Sequence, residues 1–214
     1  MKKFLMVPFL AASLFAAPPR LSYSRSFPGS TPEFLQITVD RTGELEYTES
    51  VKKDDQPVKA VLPGADAAAL FALAQQLNYF KDPLESGLKV ANTGKKTFRY
   101  EPENGPASQA VFNYSSNWTA QLLLKRFEDI ASTEHAYIDL DTSVHYDKLG
   151  VNDALAEIEA LWLHKQLAAP SQFIPLLTRV ATHDAFMHLV RERAARLKDE
   201  FQAAPASVAV SSQK

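Results

Sequence analysis

The sequence contains no cysteine and only seven glycines among its 214 residues. The absence of cysteine excludes disulfide bonds, thiolate metal ligands, a thiol nucleophile and a lipidated cysteine anchor. The few glycines form no phosphate-binding loop, because Gly87 and Gly94 are too far apart for that motif and Lys95 is followed by Lys96. Neither sign of charge dominates, with 23 basic and 25 acidic residues, so we expect no nucleic-acid partner.

The first residues have the three regions of a secretory signal peptide. Lys2 and Lys3 supply the positive charge, an apolar or small-residue run follows over 4–15, and Ala16 precedes the expected cleavage point. The run is short for a bilayer span, which disfavours the alternative of an uncleaved membrane anchor. We therefore expect a signal peptide at 1–16, secretion to the periplasm or the extracellular space, and no membrane span in the mature chain.

Residues in the first half of the chain alternate between apolar and polar, which predicts strands with one buried face and one solvent-exposed face. Leu35, Ile37 and Val39 show this period most clearly, and a tight turn ending at Gly43 joins their strand to the next. The predicted strands are residues 34–40, 44–51, 58–62, 96–101 and 107–115. Between the third and fourth strands, apolar residues at helical spacing predict a helix over residues 65–80. A loop is expected from residue 81 to the start of the fourth strand.

Helical spacing dominates the second half of the chain. Asn117 is a residue type that caps helices, and it precedes a long apolar stripe at helical period. Gly150 is expected to end this helix. Further helices follow, and Asp184 is expected to cap the last one, 185–201, with Leu189 among its buried residues.

Strands in the first half and helices in the second predict an α+β fold rather than a doubly wound α/β sheet. The order β-β-(β)-α-β-β predicts an antiparallel sheet covered by helices and followed by an all-helical carboxyl-terminal portion. We expect a flexible spacer at 17–33, an α+β domain at 34–149, the helical portion packed on it at 150–201, and a disordered tail at 202–214. The sequence leaves open whether the sheet and the later helices share one core.

Two pairs of side chains are candidates for holding a divalent metal ion. Asp141 and His145 are four residues apart on a predicted helix, as are His188 and Glu192, so each pair shares a helix face. The alternative is a solvated charged face, because a functional metal site needs three or four ligands and a second shell. We therefore assign no metal, no cofactor and no catalytic residue from the sequence.

Four aromatic residues are candidates for an interaction surface. Tyr100, Phe112, Tyr114 and Trp118 cluster around the last predicted strands and the start of the following helix. Most aromatic clusters of this kind belong to a core, where they bury large apolar areas. The alternative is an exposed platform for a peptide, a glycan or another protein.

These patterns favour a non-enzymatic exported protein that acts as a binding or interaction module in the bacterial envelope. Its expected partner is another envelope protein or a peptide. One alternative is a divalent-metal-dependent hydrolase that uses the histidine–carboxylate pairs. A second alternative is a structural envelope protein without a defined ligand.

Overall fold

In this computed structural model, which describes residues 17–50 and 56–204, six strands form one antiparallel sheet in the order β4-β3-β2-β1-β5-β6. The strands are β1 (Arg20–Ser26), β2 (Phe34–Asp40), β3 (Glu44–Thr48), β4 (Val58–Val61), β5 (Lys95–Glu101) and β6 (Ser108–Phe112). The predicted signal peptide lies outside the described residues, and so does most of the predicted tail.

The α-helices of the described residues are α1 (Gly64–Gln76), α2 (Trp118–Tyr146), α3 (Val151–Leu163), α4 (Ile174–Thr182) and α5 (His188–Ala203). The predicted α+β class is confirmed, with an antiparallel sheet in the first half and a helical carboxyl-terminal portion. Within 17–50 and 56–204, no helix is long and apolar enough to cross a membrane.

The central strand β1 lies within residues 17–33, which the sequence predicts to be a flexible spacer. It pairs with β2 on one side and β5 on the other, and its Leu21 and Tyr23 are fully buried. The spacer prediction is therefore wrong over this strand. The sequence does not reveal the strand because only these two large apolar residues mark its period and because prolines lie on either side of it, at Pro19 and Pro28. Two hydrogen-bonded neighbours supply the stabilisation that the local sequence lacks.

Helix α2 covers the inner face of the sheet. Tyr23 of β1 stacks on Phe127 of α2, with 5.3 Å between the ring centroids. The predicted cap of this helix is confirmed, since the Asn117 side chain accepts hydrogen bonds from the backbone N–H groups of Thr119 and Ala120 at 2.9 and 3.2 Å. The cap fixes where α2 begins, and its apolar stripe then runs along the sheet.

Helix α2 is 29 residues long and contributes to two hydrophobic clusters. Its buried apolar residues up to Ala131 pack with the sheet and α1, whereas those from Ala136 onward pack with α3, α4 and α5. Thr133 and Glu134 are buried polar residues between the two stretches. The helical portion thus has a core of its own, which is joined to the sheet portion through α2.

Several helix boundaries differ from those predicted. Helix α2 ends at Tyr146 rather than at Gly150, and α5 continues to Ala203, into the predicted tail. Helix α1 ends at Gln76, after which the backbone turns through positive φ at Asn78. Helix α5 begins at His188 and is not capped by Asp184, because the preceding residues form a turn in which His183 accepts backbone hydrogen bonds. Leu189 is 77% exposed, so its predicted burial is wrong.

Candidate functional site

An open groove of about 1140 Å³ lies where the sheet portion meets the helical portion. One wall is formed by the end of β4 and the start of α1, and the middle of α2 forms the floor. The opposite wall consists of the segment that joins α3 to α4 and of the end of α5. The groove therefore combines regions that are far apart in the sequence.

The inside of the groove is apolar. Leu62, Leu70, Ile130 and Phe201 line it and are each buried to 95% or more. Trp162 is half-buried and lies edge-on to Phe201, with 5.1 Å between the ring centroids. A large concave surface with a mostly apolar lining is typical of a ligand-binding site.

The rim of the groove carries exposed apolar side chains as well as charges of both signs. Val61 and Leu163 are 62% and 70% exposed, and Asp66, Arg126 and Asp129 also line the groove. Burial raises the pKa of Asp66, and the nearby Arg126 partly offsets this rise. Burial likewise raises the pKa of Asp129. A rim with both signs of charge does not favour a strongly charged ligand.

The wall between α3 and α4 begins with a helix-ending motif that usually contains glycine. The backbone N–H of Gln166 donates to the carbonyl of Leu161 at 2.9 Å, and that of Lys165 donates to the carbonyl of Trp162 at 3.0 Å. This pair of bonds defines a Schellman motif, whose left-handed position is occupied by Lys165 with φ 56°. A lysine in this conformation is strained by its Cβ atom.

The same wall contains a second left-handed residue, Ala169, with φ 44°. Thr133 of α2 holds the segment in place: its hydroxyl accepts a hydrogen bond from the N–H of Ala168 at 2.9 Å and donates to the carbonyl of Asp129 at 2.8 Å. Strained backbone persists only where surrounding contacts enforce it, and it concentrates at functional sites. The segment between α3 and α4 is thus held in one defined backbone conformation.

A buried carboxyl group lies behind this wall. Glu134 is fully buried, and the Gln172 side-chain N–H donates to its Oε1 at 2.9 Å. Burial raises the pKa of Glu134 to about 7, although the hydrogen bond from Gln172 opposes the rise. Glu134 Oε2 and Gln172 Oε1 have no partner among the described residues. When Glu134 is ionised, these two oxygens can only accept hydrogen bonds. Protonation of Glu134 supplies an O–H group that can donate one.

A second polar network joins β3 to α2. Glu49 Oε1 accepts hydrogen bonds from the Tyr47 hydroxyl at 2.6 Å and from His135 Nδ1 at 2.7 Å, and His135 Nε2 lies 3.5 Å from Asp139. Burial lowers the pKa of His135, but the hydrogen bond to Glu49 and the charges of Asp139 and Glu49 raise it overall. The two carboxylates lie at opposite edges of the imidazole and cannot share one metal ion with it.

Neither candidate metal pair acquires a third ligand. His145 Nδ1 lies 2.7 Å from the carbonyl of Asp141 and 3.3 Å from its carboxylate, while Arg179 donates to His145 Nε2 at 2.9 Å. The guanidinium thus occupies the nitrogen that a metal would need. His188 and Glu192 are 3.4 Å apart and mostly exposed. In the part of the chain that the structure describes, no three such side chains could hold a metal ion.

The four candidate aromatic residues do not form one exposed platform. Phe112 is 2% exposed and belongs to the core, and Tyr100 stacks on Tyr79 with 4.3 Å between ring centroids. Tyr114 and Trp118 are 40% and 74% exposed. Phe112 and Tyr100 thus pack with the core, whereas the two exposed residues lie in the connection after β6 and at the first residue of α2.

The groove itself has no counterpart among the residues singled out from the sequence. Its lining residues come from separate elements, and the local sequence around each of them indicates only an ordinary core or surface position. The chain matches no known protein-family model and no curated protein.

Proposed function

We propose that the protein is an exported, non-enzymatic binding module whose groove accepts a short, extended, apolar segment of a partner protein or peptide. The observation that carries the proposal is the groove of about 1140 Å³, with its apolar lining and its rim of mixed charge. Its volume is slightly above the range of about 300–1,000 Å³ for small-molecule sites, and its open shape suits an elongated occupant.

Support for a peptide rather than an acyl chain comes from β4. This strand ends the sheet and, among the described residues, pairs only with β3. Its outer backbone groups are able to pair with an added extended segment, whose apolar side chains would enter the groove beside Val61 and Leu62. The strand has only four residues and carries the exposed Lys59, which restricts pairing to a short segment.

Trp162 allows the proposal to be tested by fluorescence. The chain has two tryptophans, so a Trp118→Phe variant leaves Trp162 as the single reporter inside the groove. We expect a blocked, uncharged peptide of alternating valine and serine to change the Trp162 emission in a saturable way. A peptide of alternating glycine and serine should have no such effect, because it has no apolar side chains to bury.

Two matched leucine variants locate the binding site. Leu163→Asp places a charge on the groove rim, whereas Leu189→Asp places it on an equally exposed leucine of α5 that does not line the groove. We expect Leu163→Asp to weaken peptide binding by roughly tenfold, since burying a leucine side chain contributes about 1.5 kcal/mol or more. Absence of saturable binding, or equal weakening by both variants, would refute the proposal.

The export part of the proposal rests on the sequence pattern of residues 1–16. The mass of the chain recovered from the periplasm or the medium tests it, because cleavage after Ala16 makes Ala17 the first residue. Recovery of the uncleaved chain only from the cytoplasm would contradict it.

A further inference from the structure

Helix α5 leads the chain into the groove. Phe201 is buried in its wall against Trp162, and Ala204 also lines it. The helix ends at Ala203, and Ala204 is extended, with φ −63° and ψ 131°. Pro205 follows, a residue that disfavours further helix and keeps its predecessor extended. The chain therefore leaves the described residues at the groove and in an extended conformation.

Residues 205–214 have the chemistry that this groove is proposed to accept. Their sequence is Pro-Ala-Ser-Val-Ala-Val-Ser-Ser-Gln-Lys, in which Lys214 is the only charged side chain. Ala206, Val208 and Val210 recur with the two-residue period that places side chains on one face of an extended segment. Val208 is four residues beyond Ala204, which itself lines the groove, so at most about 14 Å of chain separates the two residues.

We propose that residues 205–214 occupy the groove of their own chain and compete there with the partner's segment. This inference rests on the proposed function, because it requires a groove that accepts an extended apolar segment. A tethered segment has an effective concentration in the range of about 1 mM, so an intrinsic dissociation constant of about 0.1 mM suffices to keep it bound most of the time. The apolar lining is then shielded from water until a better-fitting segment displaces the tail.

The test compares full-length chains that all carry Trp118→Phe. One has the unaltered tail, one carries Val208→Asp and Val210→Asp, and the control carries Ser207→Asp and Ser211→Asp. Both double variants add the same charge, but on opposite faces of an extended tail. We expect Val208→Asp with Val210→Asp to shift the Trp162 emission to longer wavelength and to tighten binding of the valine–serine peptide by about tenfold. The serine variants should match the unaltered chain.

The outcomes separate this inference from the proposed function. Equal Trp162 emission and equal peptide affinity in all three chains would overturn the inference while leaving the groove as a peptide site. Absence of peptide binding in every chain would refute the proposed function, yet an emission shift confined to the valine variant would still support tail occupancy. An emission shift that depends on protein concentration would overturn occupancy within one chain and assign the tail to a second copy.

Discussion

At the scale of single residues, Glu134 is a carboxyl group whose ionisation the fold opposes. Its carboxyl is fully buried and faces the amide of Gln172, and its pKa rises from 4.5 to about 7. The hydroxyl groups of Tyr47 and Tyr137 are close enough for their own pKa values to be raised by Glu134. A protonated Glu134 can accept from the Gln172 N–H and donate to the Gln172 oxygen, which satisfies both partners.

Glu134 should therefore make the protein less stable as pH rises. The folded state holds the proton more tightly than the unfolded state, so this contribution is fully present below about pH 4.5 and is lost as pH rises through about 7. Its size is about 3 kcal/mol. The amide of Glu134→Gln can accept from the Gln172 N–H and donate to the Gln172 oxygen without a titrating group. Its unfolding free energy, measured in urea at pH 5 and pH 8, should therefore lack this loss. The exposed Glu192→Gln serves as the control, and an unchanged pH dependence in Glu134→Gln would contradict the assignment.

At the scale of secondary-structure elements, the end of α3 is held in a strained form. Lys165 adopts φ 56° in a Schellman motif, a position that glycine occupies without a steric penalty. We expect Lys165→Gly to raise the free energy of unfolding by about 1 kcal/mol, since the cost of a Cβ atom in this conformation is removed. Lys165→Ala removes the charge but keeps the Cβ atom, so thermal unfolding should show no such gain. A gain of equal size in both variants would attribute the effect to the lysine charge.

At the scale of the whole molecule, α2 joins two hydrophobic clusters in one continuous helix. Leu123 packs in the cluster of the sheet portion and Leu140 in that of the helical portion, and both are fully buried. Because neither half of a 29-residue helix can unfold without loosening the other, we expect the two clusters to unfold together.

Two matched variants on α2 test this coupling. Leu123→Ala and Leu140→Ala should each reduce the free energy of unfolding by about 2–5 kcal/mol through lost packing and a cavity. In both variants calorimetry should give a single transition at a lower temperature, with calorimetric and van't Hoff enthalpies in agreement. Two transitions, only one of which moves in each variant, would show that the clusters unfold independently.

The sequence by itself determined the features that depend on local period and capping. The alternation of Leu35, Ile37 and Val39 predicted β2, and the same rule predicted the other strands except β1. Asn117 predicted the start of α2, because its side chain satisfies N–H groups within a few residues of itself. Such features need no knowledge of distant residues. The export predicted from residues 1–16 also depends on local pattern and stays a prediction.

Only the tertiary structure decided the features that depend on distant neighbours. Leu21 and Tyr23 form the central strand because β2 and β5 pair with it on both sides. Glu49 and His135 are 86 residues apart and meet only because α2 crosses the sheet. The groove is made by surfaces of β4, α1, α2 and α5 that have no common sequence period. Burial and contact across long separations are set by packing, and no local pattern encodes them.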